Sequence, residues 1–404
     1  MHTAVILVGG IGSRLGSLTT NFPKPMLHVK DEPFLILLMK NVRRFGIKNF
    51  ILLSGHANEI LISHFEKNHY DFKVKIIVEK ELLGTGGAIK NAVDILPNEF
   101  FCFNGDSILL GNWLKIKDLA KEGVLASVAL TSVDDSDRFG NVKIGSNNHI
   151  ESFTEKKSSS NIINAGIYFF HKKIFEDFKG EKFSIERDII PDLLKSRTVK
   201  GEIIDGYFID IGIKDSLEQA QHKDWNEEKQ FAVVFDRDGT ITEDKGYTYK
   251  TSDLKIKPYF KKLIFDLNNK NILVFVATNQ SGIARGYFSE KEMHAFHKSL
   301  SSQLYESSCH IDGFYYSPYH PDGIIEKYKK NSTCRKPNTG MLEQIKRDWY
   351  LQRKNMLMIG DSDVDIECAD NFGIKSYRYS DKINLKDMEN FIYKNFNKHE
   401  KTVR

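Results

Sequence analysis

The sequence predicts an α/β protein of two domains, with a boundary near residue 225. Three observations predict it. The chain has 404 residues, and at roughly 100–200 residues per domain that length implies two or three separate cores. Short runs of β-branched and aromatic residues alternate with helical patterns, which argues for parallel strands joined by crossover helices. The alternation gives way to a polar, charged stretch at 217–230 (LEQAQHKDWNEEKQ) and then restarts.

The first strands are expected at AVILV (4–8), FILL (50–53), KIIV (75–78) and FFCF (100–103). From about 125 to 210 the strand signals crowd together (VLASVALTS, NVKIG, HIESFTE, NAGIYFF), as antiparallel ribbons added to the sheet would. Beyond the boundary FAVVF, ILVFVA, GFYYS, MLMIG and IKSYRY are separated by helical patterns such as SEKEMHAFHKSLSSQL. The final KNFNKHEKTVR reads as a solvated, frayed end.

Composition excludes several function classes. The chain is 41% hydrophobic, 12% aromatic and 28% charged, too apolar for a disordered chain. Its 58 basic and 54 acidic residues leave +4, without the run of like charges that marks a nucleic-acid or membrane tail. The longest apolar run, Phe34 to Met39, is far short of the roughly 20 residues that span a bilayer. MHTAVILVGGIG carries no basic leader and runs into glycines, so it reads as a first strand, and a cytoplasmic location is expected. Cys102, Cys309, Cys334 and Cys368 show no paired spacing, so reduced thiols are expected, Cys102 in the core.

After the first strand comes Gly9-Gly10-Ile11-Gly12-Ser13-Arg14-Leu15, then Pro23-Lys24-Pro25-Met26. Glycines at a strand end let backbone amides approach a phosphate chain, although they serve an ordinary tight turn equally well. Arg14 adds a bidentate donor and Lys24 a point charge, both suited to a triphosphate. With these residues, the stretch resembles the sugar-1-phosphate nucleotidyltransferases over about residues 1–225. The resemblance continues at Glu79, LGTGGA (83–88), NGDS (104–107), Phe139-Gly140, Glu155-Lys156, NAGIYFF from Asn164, and Asp210-Ile211-Gly212. It implies that Gly9, Gly10, Gly12, Ser13 and Arg14 hold the β and γ phosphates and that Lys24 neutralises charge at the α-phosphorus. Glu79, Gly84 and Thr85 would belong to the nucleotide site, with LGTGGA reading the base through backbone groups. Gly140, Glu155, Lys156 and Asn164 would contact the sugar and its phosphate, and Asp106 with Asp210 would bind Mg²⁺. Two departures from the family pattern, Ile213 after DIG and Lys157 after EK, leave Asp210 open as a turn residue and Glu155–Lys156 as a surface pair.

The second domain opens with a buried-strand pattern that ends in Asp236-Arg237-Asp238-Gly239-Thr240. Two carboxylates two residues apart can both face one Mg²⁺ only if the chain turns there, and Gly239 permits the turn. TNQSGIARG (278–286), CRKP (334–337) and GDSDVD (360–365) follow, and over about 230–380 the series resembles the haloacid dehalogenase superfamily. The resemblance implies two Rossmann-like domains: an N-terminal nucleotidyltransferase fold with a mixed sheet, and a C-terminal haloacid dehalogenase-like fold without a large cap. It makes Asp236 the nucleophile, Asp238 the acid and base, and Lys336 the charge balance. Thr278 and Asn279 would hold phosphoryl oxygens, and Asp236, Asp238 and Asp361 would form a second Mg²⁺ site. Asp363 and Asp365 fit outer partners of that site and helix-dipole residues equally well.

Within the superfamily the motifs most closely resemble the heptose bisphosphate phosphatases and relatives that act on histidinol phosphate. That implies a substrate pocket lined by Asp244, Gly246, Tyr247, Gln280, Ser281, Arg285 and Arg335. The family's structural zinc is not expected here. Its ligand segments read Ser317-Pro318-Tyr319-His320 and Ser332-Thr333-Cys334, which keep one thiolate of four ligands and leave His320 an ordinary loop histidine.

Together the resemblances imply two consecutive steps: removal of the 7-phosphate of a heptose 1,7-bisphosphate, then nucleotidyl transfer to heptose 1-phosphate with release of pyrophosphate. The pathway that such a pair serves points to GTP. Another sugar or base (UTP or dTTP), or one domain acting as a silent sensor of the other, stand as alternatives. The expected partners are small molecules, heptose phosphates and a nucleoside triphosphate, rather than nucleic acid or membrane.

Overall fold

The computed structural model describes residues 3–10, 12–120, 123–133, 141–154, 161–223, 225, 230–349, 351–382 and 385–397. The chain forms two compact units, Met1–Lys223 and Asp224–Arg404. The polar stretch at 217–230 is therefore not all linker, because the helix Lys214–His222 closes the first unit.

In the first unit Thr3–Leu7 is the centre of a parallel core, flanked by Asn49–Ser54 on one side and Glu99–Asn104 on the other; Lys73–Val78 continues beyond Asn49–Ser54. Chain order reverses across Thr3–Leu7, and Leu7 stands level with Asn104. A crevice at the carboxyl end of such a switch point is where α/β sheets take ligands. The glycine loop leaves one side of it and Asp106 the other. Ile162–His171 runs antiparallel to Glu99–Asn104 and to Ala126–Ser132, which makes the sheet mixed. A register shift between Asn164 and Ile167 bulges this strand where Asn164 sits, a common way of re-aiming a side chain near a site.

The FFCF run is apolar throughout because both faces of the sheet are covered. Phe100 and Cys102 join the cluster with Tyr168, Phe170 and Phe175. Phe101 and Phe103 point the other way, onto Trp113, with ring centroids 5.0 and 5.1 Å from it.

The second unit is a five-stranded, all-parallel sheet in the order Gly313–Ser317, Leu273–Asn279, Ala232–Phe235, Met356–Gly360, Lys375–Arg378. Its switch point lies between Ala232–Phe235 and Met356–Gly360, whose ends lead directly to Asp236 and Asp361. Val233 and Phe235 pack on one face with Phe260, Leu263 and Ile264; Ala232 and Val234 pack on the other with Met341, Leu342 and Ile345. Ser289 and Glu292 form a reciprocal capping box that starts the helix Glu290–Tyr305 where SEKEMHAF predicts it. Among the described residues, single helices and loops connect the strands, with no inserted cap domain.

The frayed end expected at KNFN is a correction. Leu385–Asn397 is helical, and Met388, Ile392 and Phe396, spaced by four, are at most 3% exposed. An i, i+4, i+8 stripe buries one helix face, and Phe396 reaches Phe231 at 4.7 Å between centroids. Among the described residues no helix is long and apolar enough to cross a membrane.

Trp113 is fully buried. Trp113→Ala should therefore lower the stability of the first unit by about 3–5 kcal/mol, the usual cost of emptying an aromatic site. Urea unfolding followed by fluorescence checks this, and the second unit's transition should stay where it is.

Candidate active sites

In the first unit, Gly12 has φ +66°, and a Cβ there would lie 3.1 Å from Thr19 Cγ2 and 3.2 Å from Lys24 Cβ. Thr19 Oγ1 donates to Gly12 O at 2.8 Å, which closes the loop back towards Lys24. Gly9 packs against Gly55 N at 3.0 Å from its would-be Cβ, while Gly10 faces open space. Arg14 is exposed at the start of the next turn.

Lys24 Nζ reaches Asp106 Oδ2 at 2.5 Å. The two-stranded antiparallel ribbon of Ser107–Leu110 and Tyr207–Asp210 pairs Ser107 with Asp210. Ser107 Oγ stands 2.9 Å from Asp210 Oδ2 and 3.2 Å from Asp106 Oδ1, so one hydroxyl bridges the two carboxylates. Asp210 Oδ1 also accepts from Gly212 N at 2.7 Å, so the turn role and the site role coincide in one side chain. Burial and the Asp106 charge push the Asp210 carboxyl above its ordinary range. That is unrelieved negative charge of the kind a hard divalent cation neutralises, and the oxygen donors suit one.

LGTGGA is held against the segment at 181–183. Gly86 N and Gly87 N donate to Phe183 O at 3.0 and 3.2 Å, and Phe183 N donates to Leu83 O at 2.9 Å. A Cβ on Gly84, Gly86 or Gly87 would come within 2.6 Å of the 181–183 segment. These glycines admit a neighbouring chain, and three of the segment's backbone groups bond to it. Glu79 Oε2 accepts from Leu83 N at 3.1 Å, and burial raises its carboxyl. Thr85 Oγ1 accepts from Ile185 N at 2.8 Å and lies 3.3 Å from Glu186 Oε2.

Glu186 is a residue that motif reading missed. Its Oε1 accepts from Tyr168 Oη at 2.8 Å, and Tyr168 accepts from Asn164 Nδ2 at 2.6 Å. Thr85 and Asn164, assigned to different substrates, are thus joined by one half-buried chain of hydrogen bonds. The side chain of Ser13, and Gly140, Glu155 and Lys156 entirely, lie outside the described residues.

In the second unit, Asp236, Asp361 and Asp365 bring one carboxylate oxygen each within 4.8 Å of one another. Among the described residues they form the only such cluster of three metal-ligating groups. Gly239, at φ +80°, makes it possible: a Cβ there would lie 2.3 Å from Asp361 Oδ2. Lys336 Nζ sits 2.5 Å from Asp236 Oδ1, 2.5 Å from Asp365 Oδ1 and 2.8 Å from Ala277 O. Burial pushes the Asp236 carboxyl up to about 7 against the pull of Lys336. Burial pulls Lys336 down, but Asp236 and Asp365 outweigh it and hold the ammonium protonated. One ammonium among three carboxylates leaves a net negative pocket that fits a divalent cation.

The Asp238 carboxylate does not stand in this cluster. It turns to Arg237 and Gln280, while Asp365 stands in the cluster. The two readings of the aspartates after Gly360 also separate. Asp365 Oδ2 caps its helix by accepting from Ser362 N and Oγ, while Oδ1 holds Lys336. Asp363 is an exposed partner of Arg378.

Thr278 is buried and its hydroxyl accepts from Gln280 Nε2 at 2.8 Å, which leaves its own hydrogen free to donate. The Asn279 side chain exchanges two 3.0 Å hydrogen bonds with the Lys336 backbone, so it clamps the lysine rather than facing a phosphoryl group. Asp244 accepts from Gly246 N and Thr248 Oγ1 and shapes its loop. That loop presents Tyr247, 46% exposed, edge-on to Tyr287. Gln280 faces Asp238 and Arg237 instead of the pocket.

Arg285 and Arg335 are half-buried, and neither has a carboxylate partner among the described residues. Arg285 Nε is buried without a hydrogen-bond partner among them. Burial and the Arg285 charge hold the Arg335 guanidinium below its ordinary range. His320, expected to be an ordinary loop residue, lies 3.1 Å from Arg285 Nη2. Burial and both arginines lower its pKa, so it is a neutral acceptor. At the zinc-ligand positions, Cys334 Sγ lies 2.9 Å from Ser332 Oγ and 3.6 Å from Ser317 Oγ, a small hydrogen-bonded cluster.

Each unit therefore places carboxylates and a lysine at a switch point, the equipment of a phosphate-transfer centre. The chain belongs to the nucleotidyl transferase family, whose model matches residues 3–227, and its second unit to the HAD-hydrolase-like proteins, whose model matches residues 333–390. It is 37% identical over 52% of its length to 95% of a D-glycero-alpha-D-manno-heptose 1-phosphate guanylyltransferase of Campylobacter jejuni. It is also 37% identical, over 36% of its length, to 80% of a D-glycero-beta-D-manno-heptose-1,7-bisphosphate 7-phosphatase of Haemophilus ducreyi. HddC from Yersinia pseudotuberculosis, solved in complex with GMP-PN, superimposes with a TM-score of 0.50 at 35% identity, over 55% of this chain and 98% of that one.

Lys336→Met would leave Asp236 and Asp365 facing each other in a buried site. The second unit should lose about 3–5 kcal/mol, as when one partner of a buried ion pair is removed. Urea unfolding at neutral pH without added metal measures it.

Proposed function

We propose that this chain is a bifunctional enzyme of nucleotide-activated heptose synthesis. The second unit removes the 7-phosphate of a D-glycero-D-manno-heptose 1,7-bisphosphate. The first transfers GMP from GTP to the heptose 1-phosphate and releases pyrophosphate. The observation that carries the reading is a pair of half-buried arginines without carboxylate partners among the described residues, Arg285 and Arg335, the second of them next in sequence to Lys336 of the Asp236 centre. A monophosphate needs only the nucleophile's site, whereas a second phosphate needs a second anion receptor. The relatives' names support heptose in both halves, and the GMP-PN complex of the structural relative supports guanine.

In the first unit, Arg14, Lys24 and the loop amides of Gly9, Gly10 and Gly12 hold the triphosphate. Lys24 offsets charge growing at the α-phosphorus while the sugar phosphate oxygen attacks in line. In the second, Asp236 attacks phosphorus, Thr278 donates to a phosphoryl oxygen, and Lys336 pulls the nucleophile towards its ionised form and offsets the charge of the incoming dianion. Asp238 gives a proton to the leaving sugar oxygen and later takes one from water. Asp106 with Asp210, and Asp236 with Asp361, would hold Mg²⁺, which supplies charge neutralisation of the phosphoryl oxygens.

The relatives' names differ in anomer, alpha for the transferase and beta for the phosphatase. For the two steps to be consecutive, the phosphatase must release the anomer the transferase accepts, so the alpha bisphosphate is the expected substrate. Incubating the full chain with Mg²⁺, each anomer, and GTP, UTP or dTTP should yield one nucleotide sugar by mass, the guanosine one from the alpha bisphosphate. A product with another base would displace the guanine reading. Asp236→Asn should abolish phosphate release by more than about 10³-fold, as losing a nucleophile does. Transfer to added heptose 1-phosphate should stay at the wild-type rate, and joint loss would favour a sensor coupling instead.

A further inference from the structure

Arg237 lies between the nucleophile Asp236 and the proton carrier Asp238, is fully buried, and has no role in the steps above. Its Nε donates to Asp238 Oδ1 at 2.8 Å and its Nη2 to Asp238 Oδ2 at 2.8 Å, a two-pronged grip on the carboxylate. Nη2 also lies 3.0 Å from Thr248 O and 3.0 Å from Gln280 Oε1, and the guanidinium stacks on Phe296 at 4.6 Å. Nη1 points at His297 Nε2, 3.0 Å away.

A guanidinium only donates. His297 Nε2 must therefore present its lone pair, and the ring proton sits on Nδ1. Burial, with the Arg237 charge and His294 behind it, holds the imidazole well below its ordinary range and therefore neutral. The ring is stacked on Phe314 at 4.6 Å, so it cannot turn freely to offer its other face.

The two oxygens of Asp238 are not equivalent. Oδ2 accepts from Arg237 Nη2 and from Gln280 Nε2, both at 2.8 Å, and both its lone pairs are taken. Oδ1 accepts from Arg237 Nε alone and keeps one lone pair. Gln280 Nε2 also donates to Thr278 Oγ1 at 2.8 Å, which ties this arrangement to the strand end beside the nucleophile.

We infer that Arg237, Gln280 and His297 are positioning residues that make Oδ1 the proton-carrying atom of Asp238. The inference rests on the phosphatase reading of this unit and names which atom performs its proton transfers. In the first step a carboxylate oxygen of Asp236 bonds to phosphorus and the bond from phosphorus to the sugar oxygen breaks. The proton on Asp238 Oδ1 passes to that leaving oxygen, giving an alcohol, an aspartyl-phosphate and an ionised Asp238. In the second step water attacks phosphorus, its proton returns to Oδ1, the acyl-phosphate P–O bond breaks, and inorganic phosphate leaves with Asp236 restored. His297 fixes the far side of the guanidinium, so the fork cannot swing and carry the carboxyl with it.

Proton delivery matters most when the leaving oxygen is strongly basic, as a sugar alkoxide is, and least for 4-nitrophenolate. The full chain with Mg²⁺ is assayed for kcat/KM, which reports the first step, on heptose 1,7-bisphosphate and on 4-nitrophenyl phosphate. Arg237→Lys and His297→Leu should lower the bisphosphate value by about 10–100-fold, within the reach of misplaced acid catalysis, and change the 4-nitrophenyl phosphate value less than about threefold. His297→Gln, whose amide oxygen can accept from Arg237, should restore most of the loss. If Arg237→Lys does not fold, the two His297 variants carry the comparison. Equal losses on both substrates, or no loss on the bisphosphate, would overturn the inference while leaving the phosphatase in place. Failure of the wild-type chain to hydrolyse either substrate would overturn the phosphatase reading and this inference with it.

Discussion

Both units depend on one constraint: carboxylates that repel each other must be held together away from water. Each solves it with a lysine. Lys24 meets Asp106 at 2.5 Å, and Lys336 meets Asp236 and Asp365 at the same distance. Both lysines stand immediately before a proline, in Pro23-Lys24-Pro25 and in Lys336-Pro337. Desolvating such charges consumes much of what their attraction returns, so the ion pairs contribute geometry rather than stability. A parallel sheet with a switch point supplies the place, because loops diverge there and leave a crevice lined with strand ends.

Close backbone approach is the second condition. Gly239 lets Asp361 lie against the DRDGT turn, and Gly360 lets Asp365 reach back, since a Cβ there would lie 2.4 Å from its side chain. Gly84 and Gly87 admit the main chain of 181–183, and Gly86 the ring of Phe183. In each case the glycine is explained by what lies against it, and in none of these cases is that neighbour adjacent in sequence.

The motif residues that sit at strand ends were legible, because a run such as FAVVF followed by DRDGT locates Asp236 with no knowledge of the rest. Chains of contact were not. Glu186, which joins Thr85 to Asn164 through Tyr168, lies in a segment with no phosphate-binding signature. His297 sits in the middle of an amphipathic helix, where a histidine reads as one more core-facing residue. Asn279 and Gln280 looked like substrate donors and serve the Lys336 backbone and Asp238 instead. Phe396 looked like part of a charged tail, because a helical stripe of three residues spaced by four is easily masked by the lysines around it.

The two α/β units, the strand that precedes each site and the chemical type of each reacting group are all readable in the amino-acid order. Those follow from local periodicity and from residue types at short spacing. Only the packed fold sets which carboxylate oxygens are free, which donors are occupied, and that the Asp365 carboxylate lies against those of Asp236 and Asp361 while that of Asp238 faces Arg237 and Gln280. Hydrogen-bond capacity is finite and is filled by groups far apart in the chain, so the orientation of a side chain is a property of the packed fold.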